Sequence, residues 1–526
     1  MFAARARGVT LRFAMKLQRP LLLTVATAVT CLVALAPRLA HADEGELTER
    51  QLGSTEAPYG FVEYLPPGYA ASPGQKYAAV VFLHGAGEQG NGTTELYDAM
   101  TKHGPAKLIK NGSAYFADSG LLVFSPQSPT WWNAGTLHTF LGHLFATYRI
   151  QPERLYLTGI SMGGGGSWDY VASHGGRVAG VLPICGASTP GDGAAFVGTP
   201  VWAFHAWGDP TVTRNNSIGW VDHIAEVLLG GGSSEVMAGY PHQNGDTGQP
   251  AAETMTAAFD GAAWAWSPGA EATGSAPVRL TMYTDGSHDS WTRTYDEPTV
   301  WSWLTAQELP WPEGLPDDAL IIDNLDAGAS FVGDWARSES TPGFYSWDYH
   351  ESPAADGTQA VFAAELDAGR YEVFLRYTSG DDRAAVDVRI AHQDGAETVP
   401  VDMKRGGGDF LSLGTFDFGA GMASVTLTSG GPGLLVADAV AFNPVPADPP
   451  GTGGAGGGTG GGATTSSGAG GNADEGAEDD GCSCRAAGAS GSSAPALAAA
   501  GLAAWIGLAR RRRSWGTLST CSPRSR

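Results

Sequence analysis

Short apolar stretches recur along residues 60–283, and segments long enough for a loop or a helix separate them. Most of these stretches are continuously apolar, which is typical of strands buried on both faces of a sheet. The first stretch alternates instead, as a half-exposed strand does. The stretches are 60–65, 78–83, 120–125, 155–158, 179–185, 200–205 and 278–283. This alternation of strands with helix-length segments predicts an α/β fold with a mostly parallel sheet and helices on both faces.

Two segments depart from this alternation of strands with helix-length segments. Residues 230–276 are rich in Gly, Ala, Ser and Thr and show little periodicity, so we interpret them as an insertion. The insertion is either a lid over a site or a solvated surface loop. Residues 299–309 predict a closing helix that packs through Trp301 and Trp303, and Pro310 ends it.

From residue 319 onward, strand-like segments follow one another without helices between them. Residues 370–377 place Tyr371, Val373 and Leu375 on one face of a strand. Similar segments are 385–390, 397–403, 410–418, 423–428 and 434–442. Short strands joined by glycine turns predict an all-β sandwich. No nucleophile, base and acid occur together there, so we expect a binding role rather than a catalytic one.

The N-terminal 42 residues have the three parts of an export signal. Basic residues precede an apolar run at 21–36, and small residues at 40–42 precede Asp43 as a cleavage site would require. A membrane anchor is the alternative interpretation. Export to the cell surface, with outer-membrane anchoring or release, is therefore the predicted location.

The C-terminal residues predict a tether rather than a folded domain. Residues 446–481 consist mainly of Pro, Gly, Ala, Ser, Thr and acidic residues, which is typical of a flexible linker. Residues 482–526 combine Cys482, a short apolar run and four arginines at 510–513. This pattern predicts a sorting or anchoring segment that engages sorting machinery. A plain membrane helix is the alternative, although the run is short for a span of about 20 residues.

Charge and cysteine content exclude several kinds of function. The chain has 31 Lys and Arg against 54 Asp and Glu, a net charge of −23, so we expect no nucleic-acid partner. Of the five cysteines, Cys185 alone lies between the predicted signal and the tail. A disulfide framework or a cysteine metal site is therefore not expected there. Histidines show no metal-binding spacing, and we expect neither a metal nor another cofactor.

The strongest chemical signal is Gly-Ile-Ser-Met-Gly at 159–163, which follows a predicted buried strand. This G-x-S-x-G pattern in a strand–turn–helix context predicts a nucleophile elbow that exposes Ser161. The N–H of Met162 would face a developing oxyanion. The glycine-rich loop at 84–90 also follows a central strand, and we expect its Ala86 N–H to supply the second donor.

A serine nucleophile needs a base, and the base needs an orienting carboxylate. In elbow-type hydrolases these groups follow the serine in the order acid, then histidine. Asp209 and His288 fit that order, and each follows the C-terminal end of a predicted strand. Because ligands of open α/β sheets bind at this edge, we predict Ser161, Asp209 and His288 as a triad.

Other residues compete for these roles. Asp285 and Asp289 flank His288, but residues so close in one loop rarely face each other. Asp222 lies in a predicted helix. We expect His205 to pack at a strand end and His84 to hold the glycine-rich loop. The roles of three tryptophans stay open between substrate contact and packing, namely Trp131, Trp132 and Trp291.

Several of these motifs, taken together, resemble secreted α/β-hydrolases of the predicted peptidase or phospholipase/carboxylesterase-like family. These are relatives of feruloyl and acetylxylan esterases and of polyhydroxyalkanoate depolymerases. The matching segments are 84–88, 125–127, 155–164, 183–186 and 288–291. The resemblance covers roughly residues 55–308 and implies the same triad. The chain departs from the pattern at Ala206, where relatives tend to have glycine, and in the 230–276 insertion.

Residues 319–443 resemble the golvesin C-terminal-like domain, through segments 322–324, 333–335, 369–373 and 437–440. This resemblance implies a β-sandwich with a carbohydrate- or surface-binding role. The tail is similar to a myxobacterial C-terminal sorting signal, which implies cleavage and anchoring near Cys482.

Together these observations predict an export signal at 1–42, an α/β-hydrolase domain at 43–312 and a β-sandwich at 319–445, followed by the linker and the sorting segment. We expect a cell-surface serine esterase that cleaves acyl, feruloyl or acetyl esters, such as those of polysaccharides, through an acyl-enzyme. The β-sandwich would bind a glycan. Alternatives are a serine peptidase, a lipase or polyester depolymerase, and a glycan-binding adhesin with an inactive hydrolase scaffold.

Overall fold

The computed structural model of the chain describes residues 44–269 and 276–446. The predicted export signal at 1–42, nearly all of the predicted linker and the sorting segment with Cys482 lie outside the described residues. Within the described ranges, no helix combines the length and apolar character that crossing a membrane requires.

Ten of the described strands form one sheet in the first part of the chain. They are β1 (Leu47–Arg50), β2 (Gly60–Tyr64), β3 (Tyr77–Leu83), β4 (Leu122–Gln127), β5 (Ile150–Ile160), β6 (Gly180–Ile184), β7 (Val201–Ala206), β8 (Met255–Phe259), β9 (Trp264–Pro268) and β10 (Val278–Tyr283). Their order across the sheet is β1-β2-β4-β3-β5-β6-β7-β10-β8-β9. The central strands from β4 to β10 pair in parallel, and the strands at both edges pair antiparallel.

Eight α-helices of the described residues accompany these strands. They are α1 (Leu96–Met100), α2 (Gly104–Lys110), α3 (Ala114–Ser119), α4 (Ala134–Thr147), α5 (Met162–His174), α6 (Asn215–Leu228), α7 (Trp291–Asp296) and α8 (Pro298–Thr305). Two separate apolar cores form, because alternate residues of each buried strand point to opposite faces of the sheet. Val81 and Leu157 belong to one core, while Val80 and Tyr156 belong to the other. The predicted α/β-hydrolase arrangement with a mostly parallel sheet is confirmed.

The insertion at 230–276 differs from both interpretations offered above. Its described residues include β8 and β9, an antiparallel hairpin that pairs with β10 and extends the sheet. Neither the lid nor the loop interpretation included these strands. Small residues dominate the segment and hide its strand pattern, whereas Trp264 and Trp266 anchor the hairpin through indole hydrogen bonds to Ser234 and to the carbonyl of Val236.

The second part of the chain is all β. Its strands are β11 (Leu320–Asp323), β12 (Ala329–Val332), β13 (Ala336–Ser338), β14 (Tyr349–Pro353), β15 (Gln359–Leu366), β16 (Gly369–Arg376), β17 (Ala385–His392), β18 (Gly395–Asp402), β19 (Leu411–Phe418), β20 (Gly421–Ser429), β21 (Leu434–Ala437) and β22 (Ala439–Pro444). A four-stranded and a five-stranded antiparallel sheet contribute side chains to one core. A third, three-stranded sheet consists of β13, β14 and β21. The predicted β-sandwich is confirmed.

The β part is packed directly against helix α4 of the α/β part. Trp347 is buried and belongs to the same apolar core as α4. Its ring stacks on Phe145 at a centroid distance of 4.9 Å and on His138 at 4.6 Å. The indole therefore joins the two parts through apolar contact with one face of α4.

Polar contacts surround that indole. The Glu339 carboxylate lies 2.9 Å from the His138 Nε2 and accepts a hydrogen bond of 2.9 Å from Arg177. Elsewhere on the interface, the Tyr345 hydroxyl donates to Glu153, and Lys76 pairs with Asp326. Side chains from several sequence-distant segments thus fix the β part against the α/β part.

Candidate active site

The elbow at Ser161 is a sharp turn between β5 and α5. Ser161 has φ 52° and ψ −114°, a backbone conformation that is costly for a residue with a side chain. A Cβ on Gly159 would come 2.3 Å from the Gly163 carbonyl oxygen, and one on Gly163 would come 2.0 Å from the Leu83 carbonyl oxygen. Glycine is therefore required at both positions, since the strand and the helix approach too closely for a side chain.

Backbone hydrogen bonds hold this strained turn. The Ser161 N–H donates to the Ile184 carbonyl at 2.9 Å, and the Ser161 carbonyl accepts from Gly165 and Ala187. Gly165 lies in α5, Ile184 is the last residue of β6, and Ala187 follows that strand. The neighbouring strand and helix thereby fix the position from which the Ser161 hydroxyl projects.

Ser161, His288 and Asp209 form one hydrogen-bonded chain. The Nε2 of His288 lies 2.8 Å from the Ser161 Oγ, and the Nδ1 lies 2.8 Å from the Asp209 Oδ2. Asp209 follows β7 and His288 follows β10, two strands that pair in parallel. The structure thus brings the three predicted side chains together at the C-terminal edge of the sheet.

The protonation pattern of this chain follows from Asp209. An ionised carboxylate only accepts hydrogen bonds, so the Nδ1 of His288 carries the proton that it donates. In a neutral imidazole the Nε2 is then the acceptor, and it faces the Ser161 hydroxyl. The imidazole is thereby oriented to take a proton from Ser161.

Asp209 is held in its ionised form. Burial of the side chain acts to raise its pKa, but hydrogen bonds from His205, His288 and the N–H groups of Val212 and Thr211 outweigh that effect, and the pKa is lowered. The two backbone bonds to Oδ1 measure 3.0 and 2.8 Å. The carboxylate therefore keeps its charge beside His288 throughout the neutral pH range.

The glycine-rich loop passes next to Ser161. A Cβ built on Gly85 would lie 3.6 Å from the Ser161 Cβ, and Ala86 begins the short 3₁₀ turn Ala86–Glu88. Met162 is the first residue of α5, where an N–H has no acceptor within the helix. Both predicted oxyanion donors thus belong to segments that border the serine, and their role stays a prediction.

His84 holds the glycine-rich loop through hydrogen bonds, which is the structural role that was predicted for it. The Ser128 N–H donates to the His84 Nε2 at 2.9 Å, so the Nδ1 carries the proton and donates to the Gly85 carbonyl. Burial lowers the pKa of His84 to about 4, which keeps the ring neutral in this role. The buried Trp132 donates to the His84 carbonyl, which makes it a packing residue.

Trp291 supports the ring of His288. The two rings meet edge to face with centroids 5.3 Å apart. The Trp291 Nε1 donates to the His103 Nδ1 at 3.2 Å, and the opposite nitrogen of His103 lies 3.6 Å from the Glu88 carboxylate. No local motif connects His103 or Glu88 with Trp291, so this contact was not predictable from the sequence. Trp131, in contrast, is half exposed.

The competing carboxylates have other partners. Asp285 pairs with Arg293, Asp289 accepts from the N–H and hydroxyl of Thr292, and Asp222 accepts from Ser234 and from the Val236 N–H. None of these contacts involves His288, whereas Asp209 contacts it directly.

Within the described ranges, one group of side chains has the composition of a metal site. The ligand atoms of Cys185, Asp209 and His288 lie within 4.8 Å of one another. Asp209 and His288 already hydrogen bond to each other, and burial raises the pKa of the Cys185 thiol to about 12. We therefore attribute the grouping to the serine–histidine–aspartate arrangement.

The β part of the chain matches a known protein family. Residues 320–444 match the family described as the Golvesin C-terminal domain, as the sequence motifs predicted. The chain is also 38% identical over 144 residues to a xanthan lyase from Bacillus sp. (strain GL1), a match that covers 25% of this chain. That match spans only 16% of the lyase.

Solved structures similar to this chain include a thermostable esterase, with 24% identity, a TM-score of 0.35, and coverage of 50% of this chain and 63% of that protein. Another is the acetyl xylan esterase from Aspergillus awamori, with 13% identity, a TM-score of 0.33, and coverage of 49% of this chain and 98% of that protein.

Proposed function

We propose that this protein is a serine hydrolase that cleaves carboxylic esters. One observation carries the proposal: His288 lies 2.8 Å from both the Ser161 hydroxyl and the Asp209 carboxylate. A nucleophile that is hydrogen bonded to a base, with the base oriented by a buried acid, is the arrangement that acyl transfer requires. The strained elbow that presents Ser161 supports the same conclusion.

The reaction proceeds through an acyl-enzyme. The Ser161 oxygen attacks the ester carbonyl carbon while its proton moves to the Nε2 of His288. The Ala86 and Met162 N–H groups donate to the oxyanion of the tetrahedral intermediate. Collapse of this intermediate breaks the ester bond, and His288 returns the proton to the departing alcohol.

Water completes the cycle. His288 takes a proton from a water molecule while the oxygen of that water attacks the acyl group on Ser161. The second tetrahedral intermediate then collapses, and the proton returns to the Ser161 oxygen as the carboxylic acid leaves. Asp209 stays ionised throughout and stabilises the imidazolium that forms in each half-reaction.

We propose esters attached to a polysaccharide, such as acetyl or feruloyl groups, as the substrate class. The similarity to a protein named xanthan lyase supports a polysaccharide context. The β part would then bind glycan while the α/β part removes acyl groups. Export and retention at the cell surface through the C-terminal residues belong to the same proposal and agree with the acidic net charge of −23.

Initial rates on a panel of substrates test this function. The panel contains p-nitrophenyl acetate, methyl ferulate, acetylated xylan, a long-chain ester and a peptide amide. We expect turnover of the short esters and of acetylated xylan, and a loss of at least about 10³-fold in Ser161→Ala. Ser173→Ala is the matched control, since Ser173 is exposed on the same helix α5.

The panel also separates the alternatives. Cleavage of the amide alone would indicate a peptidase, and cleavage of the long-chain ester alone would indicate a lipase or polyester depolymerase. Ester turnover that survives Ser161→Ala would refute the proposed site. Glycan binding without any turnover would indicate a glycan-binding adhesin in which the α/β part is an inactive scaffold.

A further inference from the structure

A second histidine reaches the carboxylate of Asp209. His205 lies near the end of β7, and its side chain is completely buried. Its Nδ1 lies 2.9 Å from the Ser217 Oγ, and its Nε2 lies 3.0 Å from the Val212 carbonyl oxygen. The same Nε2 lies 3.3 Å from the Asp209 Oδ2. The predicted role of His205 as a strand-end packing residue is therefore incomplete.

The contacts of His205 define its tautomer. A carbonyl oxygen only accepts, so the Nε2 must carry a proton toward Val212. In the neutral ring the Nδ1 is then an acceptor, and the Ser217 hydroxyl, on helix α6, donates to it. The Nε2–H is consequently directed at the Val212 carbonyl, and the Asp209 Oδ2 lies 3.3 Å from the same nitrogen.

This proton completes the coordination of Asp209. The Oδ1 accepts from the N–H groups of Thr211 and Val212, at 2.8 and 3.0 Å. The Oδ2 faces the Nδ1 of His288 at 2.8 Å and the Nε2 of His205 at 3.3 Å. A carboxylate has about four acceptor positions, so these donors leave it little freedom to rotate. The Oδ2 that holds His288 is therefore also in contact with His205.

We propose that His205 is a positioning residue for the hydrolytic reaction, acting through the carboxylate of Asp209. This inference rests on the proposed function. His205 contacts neither Ser161 nor the reacting atoms, and its contribution is to keep the Oδ2 aligned with the Nδ1 of His288. Small displacements of a catalytic group cost up to about 10²-fold in rate, so loss of this donor should reduce turnover without changing substrate binding.

Two substitutions separate positioning from packing. In His205→Gln the side-chain amide nitrogen reaches roughly the place of the Nε2 and still donates toward Asp209. In His205→Asn the shorter amide reaches roughly the place of the Nδ1, so it keeps the Ser217 contact and loses the donor. A purely structural role would give the two variants the same kcat, because each keeps a polar contact with a neighbouring segment, with Val212 in the glutamine variant and with Ser217 in the asparagine variant.

The experiment measures kcat and KM for p-nitrophenyl acetate with the full chain, together with the thermal midpoint of each variant. We expect His205→Asn to lower kcat by about 10- to 100-fold with KM within about twofold, and His205→Gln to retain most of kcat. If the asparagine variant does not fold, His205→Phe takes its place, because it keeps the ring and lacks the donor.

Equal kcat values for the two variants, or a change confined to KM, would overturn this inference. The wild-type rate distinguishes that result from failure of the proposed function. An inactive wild type refutes the esterase proposal itself, whereas an active wild type with indistinguishable variants refutes only the role of His205. The rate of covalent labelling of Ser161 by a fluorophosphonate should follow the same order as kcat.

Discussion

Gly142 of helix α4 lies directly against the indole of Trp347, because a Cβ built on Gly142 would come 2.6 Å from the Trp347 Nε1. Because Gly142 has no side chain, the Trp347 indole of the β part occupies the space beside the helix. The α/β core thus includes a residue of the β part, which follows the last helix of the α/β part in the sequence. The two parts are consequently expected to stabilise each other.

Gly142→Ala should weaken this contact. The added methyl group forces the buried indole to move, and overpacking of this kind costs about 1–3 kcal/mol of unfolding free energy. Denaturant unfolding of the full chain measures the effect. Gly135→Ala is the control on the same helix, since its Cβ would meet only the Asn133 Oδ1 at 3.4 Å. Equal stability of the two variants would contradict the described packing.

Gly163→Ala should damage the elbow itself. The new Cβ would lie 2.0 Å from the Leu83 carbonyl oxygen, which belongs to a central strand and has little freedom to move. We expect a loss of more than about 3 kcal/mol in unfolding free energy, together with loss of esterase activity. Gly74→Ala serves as control, because nothing lies within 4 Å of its Cβ position. A stable, active Gly163→Ala protein would rule out this elbow geometry.

Asp438 should make stability depend on pH. Its side chain is fully buried, and burial raises its pKa to about 8 despite the Arg376 charge and the Tyr345 N–H. The folded state therefore binds a proton that the unfolded state, with a pKa of about 3.9, has released. The stabilisation from this proton is complete below about pH 4 and is lost as the pH rises toward 8, by about 1.4 kcal/mol per pH unit.

Asp438→Asn removes this titration while keeping the shape of the side chain. Urea unfolding between about pH 5 and pH 8 should show the variant gaining stability relative to the wild type as the pH rises. Parallel pH dependences of the two proteins would show that Asp438 does not hold a proton in the folded state.

Cys185 should be unreactive in the folded protein. It is completely buried, and burial raises the pKa of its thiol to about 12, so almost no thiolate exists at neutral pH. Alkylation with iodoacetamide at about pH 8, followed by peptide mapping, should leave Cys185 unmodified in the native chain and modify it after denaturation. Modification of native Cys185 at the rate of free glutathione would contradict its placement.

The continuous apolar strands were predictable because burial on both faces leaves a local signature in the sequence. Residues 155–158 predicted the strand that the structure extends to Ile150–Ile160. Residues 151–154 of this strand are only partly buried and do not form a continuous apolar run. The hairpin β8–β9 was missed for a related reason, since small residues do not mark which face is buried.

The candidate triad was predictable because the order of its residues and the ends of the predicted strands can be read directly from the sequence. The contacts of His205 with Asp209, of Trp291 with His103, and of Trp347 with α4 were not. Each joins side chains whose proximity depends on how loops or separate parts of the chain meet. No periodicity or motif encodes such contacts locally.

The central claim is that Ser161 is an activated nucleophile, and covalent labelling with a fluorophosphonate tests it most directly. Intact mass and peptide mapping should show one phosphonyl group on Ser161 of the full chain and of Ser173→Ala. Ser161→Ala should show none, and His288→Ala should react at least about 10³-fold more slowly. An unlabelled wild type, or labelling that persists at the same rate in Ser161→Ala, would contradict the account.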